Sequence, residues 1–262
     1  HGKVVYEKSY GYHTYEEKRA VKNSDIYDLA SLTKILGGLP LIMKAEENGM
    51  FNLDDTLGDL LPEYKDSNKD TLSIKEILSH NARLKAWIPF YLKTLDSVTH
   101  QPLIEYYSTS QNREYSIKVA NDLYLRTDYK DSIFENIRIV EQREKSGYKY
   151  SGLAFYIFKK YIELYLDQGM DKILASNFYK PLGAQTLCFN PLDTFDAERI
   201  VPSEVDTYFR HQVLKGTVHD MGAAMMGGVN GNAGLFANAN DVAKMMQLFL
   251  QDGYYGGHRY LE

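Results

Sequence analysis

Cysteine is nearly missing from this chain. Cys188 stands alone among 262 residues, so no internal disulfide braces the fold, and the cysteine count leaves the compartment open. Also missing is any apolar run of the roughly 18 to 20 residues that a membrane-spanning helix needs. The opening stretch HGKVVYEKSYGY lacks a charged-then-apolar secretion pattern and reads as a start in mid-domain or after processing. There is no basic excess. A formal charge of -5, with both signs scattered through a 25% charged composition, offers nothing to hold nucleic acid or an anionic membrane. The glycines never form G-x-G-x-x-G and never lead into Lys-Ser or Lys-Thr, which argues against a nucleotide-phosphate cradle. H-E-x-x-H is absent too, so His219-Asp220 has no metal-spaced companion and reads as wall and loop; no metal and no cofactor are expected.

What is present is an ordinary globular composition, 44% hydrophobic, in a length that suits one large domain or two modest ones. The 22 tyrosines fit half-exposed packing with the hydroxyl in water better than a sugar-stacking platform. Residues 3–12 mix β-branched and aromatic residues and end in Gly11, predicting a strand and a turn. Residues 28–48 carry helical spacing at Ile35, Leu36, Leu39, Ile42 and Met43, but Gly37, Gly38 and Pro40 predict a kinked or two-part helix. Ser73 and Glu76 have capping-box spacing ahead of a short helix. Residues 92–147 read as an all-helical lobe. Residues 150–169 predict a strong helix with Leu153, Tyr156, Ile157, Tyr161 and Leu164 on one face, and DVAKMMQLFLQDG predicts another, with Asp241 near its start and Gly253 after its end. These pieces suggest a helical insertion, roughly residues 55–180, set into an α/β layer built from both flanks.

The sharpest motif is Ser31-Leu-Thr-Lys34, the pattern S-x-x-K. On a helix, residues three apart share a face, so the lysine amine can reach the serine hydroxyl. A serine needs an adjacent base to become a nucleophile, and a helix N-terminus adds free N–H groups that favour negative charge. Spacing alone discriminates poorly: Ser146-Gly-Tyr-Lys149 repeats it in a polar turn with no apolar helix behind. Helix capping is the other reading of Ser31. His80, at the end of a short apolar helix, reads as a hydrogen-bonded structural histidine.

Around Ser31 the run DLASLTKILGGLPLIMKAEENGMFNLDDTLGDLLPEY, followed by LSIKEILSHNARL, resembles the serine β-lactamase and penicillin-binding-protein-like hydrolases, in the branch of class C β-lactamases and related esterases. Ala82 and Arg83 stand where that family has Ser-Gly. Tyr150-Ser151-Gly152 matches the tyrosine of the family's Y-x-N element but not its asparagine. The block GTVHDMGAAMMGGVNGNAGLFANANDVAK is similar to the module joined to family-3 N-acetylglucosaminidases, with Asn232 in place of the usual histidine. The resemblance implies an α+β fold of β-lactamase type, an antiparallel sheet flanked by helices plus the helical lobe, truncated at both ends.

It also implies a chemistry: Ser31, Lys34 and Tyr150 as catalytic residues, and Gly152, Asn232 and Leu235 as substrate-binding positions. The family's third element, K-T-G or H-x-G, is absent, since the histidine tripeptides read HGK, HTY, HNA, HQP, HQV, HDM and HRY. Two functions therefore stay open. One is a serine hydrolase acting through an acyl-enzyme on an amide, lactam or ester, with peptidoglycan-type or small-molecule substrates, in the bacterial periplasm or envelope. The other is a non-catalytic module that binds cell-wall fragments or packs on a fused glycoside hydrolase. Missing strands would leave edges open to self-association.

Overall fold

The computed structural model describes residues 2–16 and 18–262. The first half runs from strand β1 (Tyr27–Asp28) through a π-helical turn (Lys34–Gly38) into helix α1 (Leu39–Glu47), then α2 (Leu57–Leu60) and α3 (Ile74–Leu78). Strands β2 (Tyr107–Ser108), β3 (Ile117–Ala120) and β4 (Leu123–Leu125) follow, with helices α4 (Tyr129–Ile139), α5 (Leu153–Leu166) and α6 (Met170–Leu174). The remainder comprises β5 (Cys188–Phe189), the hairpin of β6 (Glu204–Asp206) and β7 (Gln212–Leu214), α7 (Met221–Met225), β8 (Leu235–Ala237) and α8 (Ala239–Leu250). A hairpin of β9 (Tyr254–Tyr255) and β10 (His258–Arg259) closes it. Every pairing between these strands is antiparallel, giving the α+β class expected. No helix among the described residues is long and apolar enough to cross a membrane.

The central sheet has the order β1–β8–β5. Its middle strand, Leu-Phe-Ala, has no polar alternation, as suits a strand covered on both faces, and all three residues are buried. Pairing Tyr27 with Ala237 and Asp28 with Phe236 places the turn after β1, residues 29–31, at the sheet's end. Helix α5 packs against the π-helical turn, α1, α4 and α6, burying Leu153, Tyr156, Ile157, Phe158, Tyr161 and Ile162. Leu164, expected on that face, is 65% exposed.

The interruption of the first long helix has a visible cause. Pro40 cannot donate to the carbonyl of Leu36, and the Tyr179 hydroxyl takes that acceptor instead at 3.0 Å. The turn widens so that the Leu39 N–H bonds Lys34 O. Gly38 permits the closest approach: a Cβ there would lie 2.5 Å from Phe155 Cδ1 and 2.8 Å from Gly231 O.

Two expectations need correction. Residues 3–10 form no strand; beyond them only a bridge joins Tyr12 to Ala20, and Val4 and Val5 face solvent. A strand requires a partner ladder, and β-branched composition alone supplies none. Residues 92–147 are not all helix, because a three-stranded sheet of order β2–β4–β3 occupies them ahead of α4. The i,i+2 pairs Ile117/Val119 and Leu123/Leu125, joined across Asn121-Asp122 with Asp122 at φ +49°, carry a hairpin signal that a helical reading overlooks. The Ser73–Glu76 capping box is present, and Thr56–Asp59 forms a second one at the start of α2.

Candidate active site

Ser31 follows a strained turn. Ala30 has φ +49°, a left-handed conformation that costs a residue with a Cβ roughly 1–2 kcal/mol. Asp28 holds it there: one carboxylate oxygen accepts the Ala30 N–H at 2.8 Å, and the other accepts the His219 N–H at 2.8 Å and lies 3.1 Å from His219 Nδ1. From this anchor the helix starts, with Leu32, Thr33 and Lys34 N–H groups donating to the carbonyls of Leu29, Ala30 and Ser31. The Ser31 N–H carries no hydrogen bond among the described residues and stays free for a ligand oxygen.

The Ser31 hydroxyl does not cap this helix. Its partner is Lys34, whose Nζ donates to Oγ at 3.1 Å and to the Asn232 carbonyl at 2.8 Å. Lys34 is buried, and its ammonium faces the rings of Tyr150 at 5.3 Å and Phe155 at 5.7 Å from the centroids. Among the described residues no carboxylate comes within ion-pair distance of it. The amine is thus held by neutral acceptors and ring faces, within hydrogen-bond reach of Ser31 Oγ.

Tyr150 reaches the same place from the start of α5. Segment 80–86 clamps it: Lys149 N–H donates to His80 O at 2.9 Å, Ser151 N–H to His80 Nδ1 at 3.3 Å, and Gly152 N–H to Ala86 O at 2.9 Å. The His80 ring lies 5.0 Å from the Tyr150 ring. Burial, and then the charge of Lys34, lower the His80 pKa, which keeps Nδ1 available as an acceptor. His80 is hydrogen-bonded, as the sequence suggests, and what it orients is Tyr150. No hydrogen bond joins the Tyr150 hydroxyl to Ser31 or Lys34 among the described residues; the contact is through the ring face.

The substrate-binding positions separate. Gly152 lies beside Asn232, and a Cβ added there meets nothing nearer than 3.8 Å, so the space an amide side chain would fill is open. Asn232 is buried; its carbonyl holds Lys34, while Oδ1 accepts from Asn230 at 2.6 Å and Nδ2 donates to Asp220 at 3.4 Å. Leu235 requires correction as a substrate contact. Its side chain is fully buried in the central strand, and its backbone ties the sheet to the Ser31 turn through Thr33 Oγ1 and the Leu29 N–H.

The second S-x-x-K copy remains in an exposed turn outside any helix, with no Ser146–Lys149 hydrogen bond among the described residues. Arg83, where the family pattern has glycine, adopts φ +55°, so the backbone keeps a glycine-like conformation with a larger residue.

Sequence reading missed Asp28 as the anchor of the turn, Phe155 as the second ring over Lys34, and the deeply buried Tyr156, whose pKa burial pushes well up. His219 and Asp220, read as wall residues, hold Asp28 and cap α7 respectively. The hydrogen bond to Asp28 raises the His219 pKa against the opposing effect of burial. The Asp-x-x-Ser spacing of Asp28 and Ser31 is the sequence trace of this anchor.

Comparison with known proteins gives one consistent result. The Beta-lactamase family model matches residues 1–260. An Escherichia coli (strain K12) protein named "Putative D-alanyl-D-alanine carboxypeptidase" is 28% identical over 249 residues, covering 88% of this chain and 52% of its own. A Salmonella gallinarum (strain 287/91 / NCTC 13346) protein of the same name is 30% identical over 259 residues, covering 91% and 54%. This chain thus spans about half the length of the curated relatives it matches. The octameric penicillin-binding protein homologue from Pyrococcus abyssi shares the fold at TM-score 0.65 and 17% identity, over 97% of this chain and 51% of that one.

Proposed function

Because the chain belongs to the β-lactamase family, a family of serine hydrolases, we propose that it carries out acyl transfer through Ser31. The observation that carries this reading is the buried Lys34 Nζ, 3.1 Å from Ser31 Oγ and anchored from behind by the Asn232 carbonyl. In the acylation step Ser31 Oγ bonds to the substrate carbonyl carbon, and its proton passes to Lys34 in the unprotonated state. The carbonyl oxygen gains the negative charge, which the free Ser31 N–H and the helix start stabilise. The tetrahedral centre then collapses, the bond to the leaving amine or alcohol breaks, and Lys34, with Tyr150 beside it, returns the proton to that group. Water repeats the sequence to release the acyl group.

Substrates are D-alanyl peptides or small esters. The relatives' name supports the peptide, and the open space at Gly152, with no amide to grip an acylamide, supports the small ester. The cell envelope is the corresponding site of action. The test is covalent labelling with a fluorescent penicillin or a fluorophosphonate, wild type against Ser31→Ala. Labelling confined to wild type is expected; labelling that survives the substitution sinks the assignment, and none in either protein favours a module that binds without reacting.

A further inference from the structure

Beyond Asn232, on the side away from Lys34, stands an acidic group that the acyl-transfer steps do not use. Asp220 Oδ1 accepts the Ala223 N–H at 2.7 Å and Asn232 Nδ2 at 3.4 Å. The cations around it are engaged elsewhere: Arg210 pairs with Asp206 at 2.7 Å, His219 with Asp28 at 3.1 Å, and Lys34 with Ser31 and the Asn232 carbonyl. Asp220 therefore forms no ion pair among the described residues. It is only partly exposed, and it lines a cavity of about 40 Å³ together with Trp87, Tyr91, Gly152 and Asn232.

Size, charge and walls together restrict what fits. A water needs roughly 10–15 Å³ of such space, so the cavity admits a small group of a few heavy atoms. The carboxylate repels an anion, and a methyl group would bury it without a partner, which is unfavourable. An ammonium matches all three features, since a carboxylate and aromatic rings both attract a desolvated cation. The cavity adjoins the Ser31 surroundings through Asn232, which lines it and whose carbonyl accepts from Lys34, and through Gly152, two residues after Tyr150.

We propose that this cavity is an ammonium subsite, in which Asp220, flanked by Trp87 and Tyr91, takes a protonated amine carried by the acyl part of the substrate. The statement about the acyl part rests on the hydrolase reading of Ser31; the ammonium site itself does not. It assigns the enzyme to acyl donors bearing a free amine, such as peptides with an unblocked terminus or a basic side chain.

Two measurements test it separately. Trp87 is the only tryptophan and borders the cavity, so its fluorescence reports occupancy without any turnover. Titration with butylammonium should give a saturable change, butanol and butyrate should not, and Asp220→Asn should abolish it. Asparagine caps a helix about as well as aspartate, so this variant keeps α7 while losing the charge, and Asp220→Ser serves as a second capped, uncharged variant. In the second measurement, p-nitrophenyl esters of ω-amino acids of increasing chain length are compared with the same esters lacking the amine. At one length the amine should raise kcat/KM by about ten- to a hundred-fold, the range of a charged hydrogen bond, and the ratio should fall to near one in Asp220→Asn. A saturable fluorescence change without turnover overturns the hydrolase reading and leaves the ammonium site standing. Turnover without amine preference at any length overturns the placement on the acyl part; ammonium binding unaltered by both Asp220 variants, or no saturable change with butylammonium, overturns the ammonium site.

Discussion

Replacing Gly38 with alanine tests how the helix that follows Ser31 is seated. The added Cβ would stand 2.5 Å from Phe155 Cδ1 and 2.8 Å from Gly231 O, where relaxed carbon contacts lie at roughly 3.5–4.0 Å. Neither neighbour can retreat freely. The Phe155 ring also faces Lys34 Nζ, and Gly231 precedes Asn232, whose carbonyl accepts from that same Nζ at 2.8 Å. Overfilling a packed core costs about 1–3 kcal/mol, contacts this short belong to the upper part of that range, about 2–3 kcal/mol, and the better helix propensity of alanine offsets about 1 kcal/mol. The net loss is about 1–2 kcal/mol. At roughly 2–4 °C per kcal/mol for a chain of this size, the melting temperature falls by about 2–8 °C.

Gly37 provides the internal control. A Cβ there would meet Leu235 Cδ1 at 3.1 Å and Leu174 Cδ1 at 3.4 Å, both ends of flexible side chains, so Gly37→Ala should cost under about 1 kcal/mol. Thermal melting by circular dichroism and the rate of Ser31 labelling read the two effects. Gly38→Ala should lower both, because a displaced Asn232 carbonyl misplaces Lys34. A Gly38→Ala protein that melts at or above wild type, or two alanine variants of equal effect, refutes the packing argument.

Two further outcomes follow from the titrating groups. His219 has its pKa raised by Asp28, so its stabilisation is full below its ordinary 6.5 and is lost as pH rises through the folded value. His80 has its pKa lowered by burial and Lys34, so stability is intact above 6.5 and declines as pH falls from there toward the folded value. Melting temperature against pH should lose its alkaline decline in His219→Asn and its acid decline in His80→Gln; profiles parallel to wild type contradict both assignments. Burial pushes the Cys188 thiol up to about 12, so the native protein should resist a thiol reagent at pH 8 and react once unfolded in guanidinium. Rapid reaction of the folded chain would contradict the raised thiol pKa.

Local chemistry was readable wherever the partners lie within one or two turns. The Ser73–Glu76 box closes over three residues, and the 3.6-residue pattern marks α5 and α8 without outside help. Misreadings came where the outcome hangs on a distant partner. Residues 3–10 have strand composition but no ladder to join, while Ile117–Ala120 and Leu123–Leu125 became strands by pairing with each other and with Tyr107–Ser108. Leu164 fits the helical stripe of α5, yet nothing packs over it near the helix end.

The site divides in the same way. Sequence by itself determined the family pattern and the helical spacing that lets Lys34 reach Ser31, because three residues apart on a helix is a local distance. It could not separate Ser31–Lys34 from Ser146–Lys149, which share the spacing. Tertiary structure decided that, by burying Lys34 against an acceptor 198 positions away and setting two rings over it. It likewise sent Leu235 into the core and left Asp220 beside an open Gly152, since burial and unpaired charge depend on what the rest of the chain brings near.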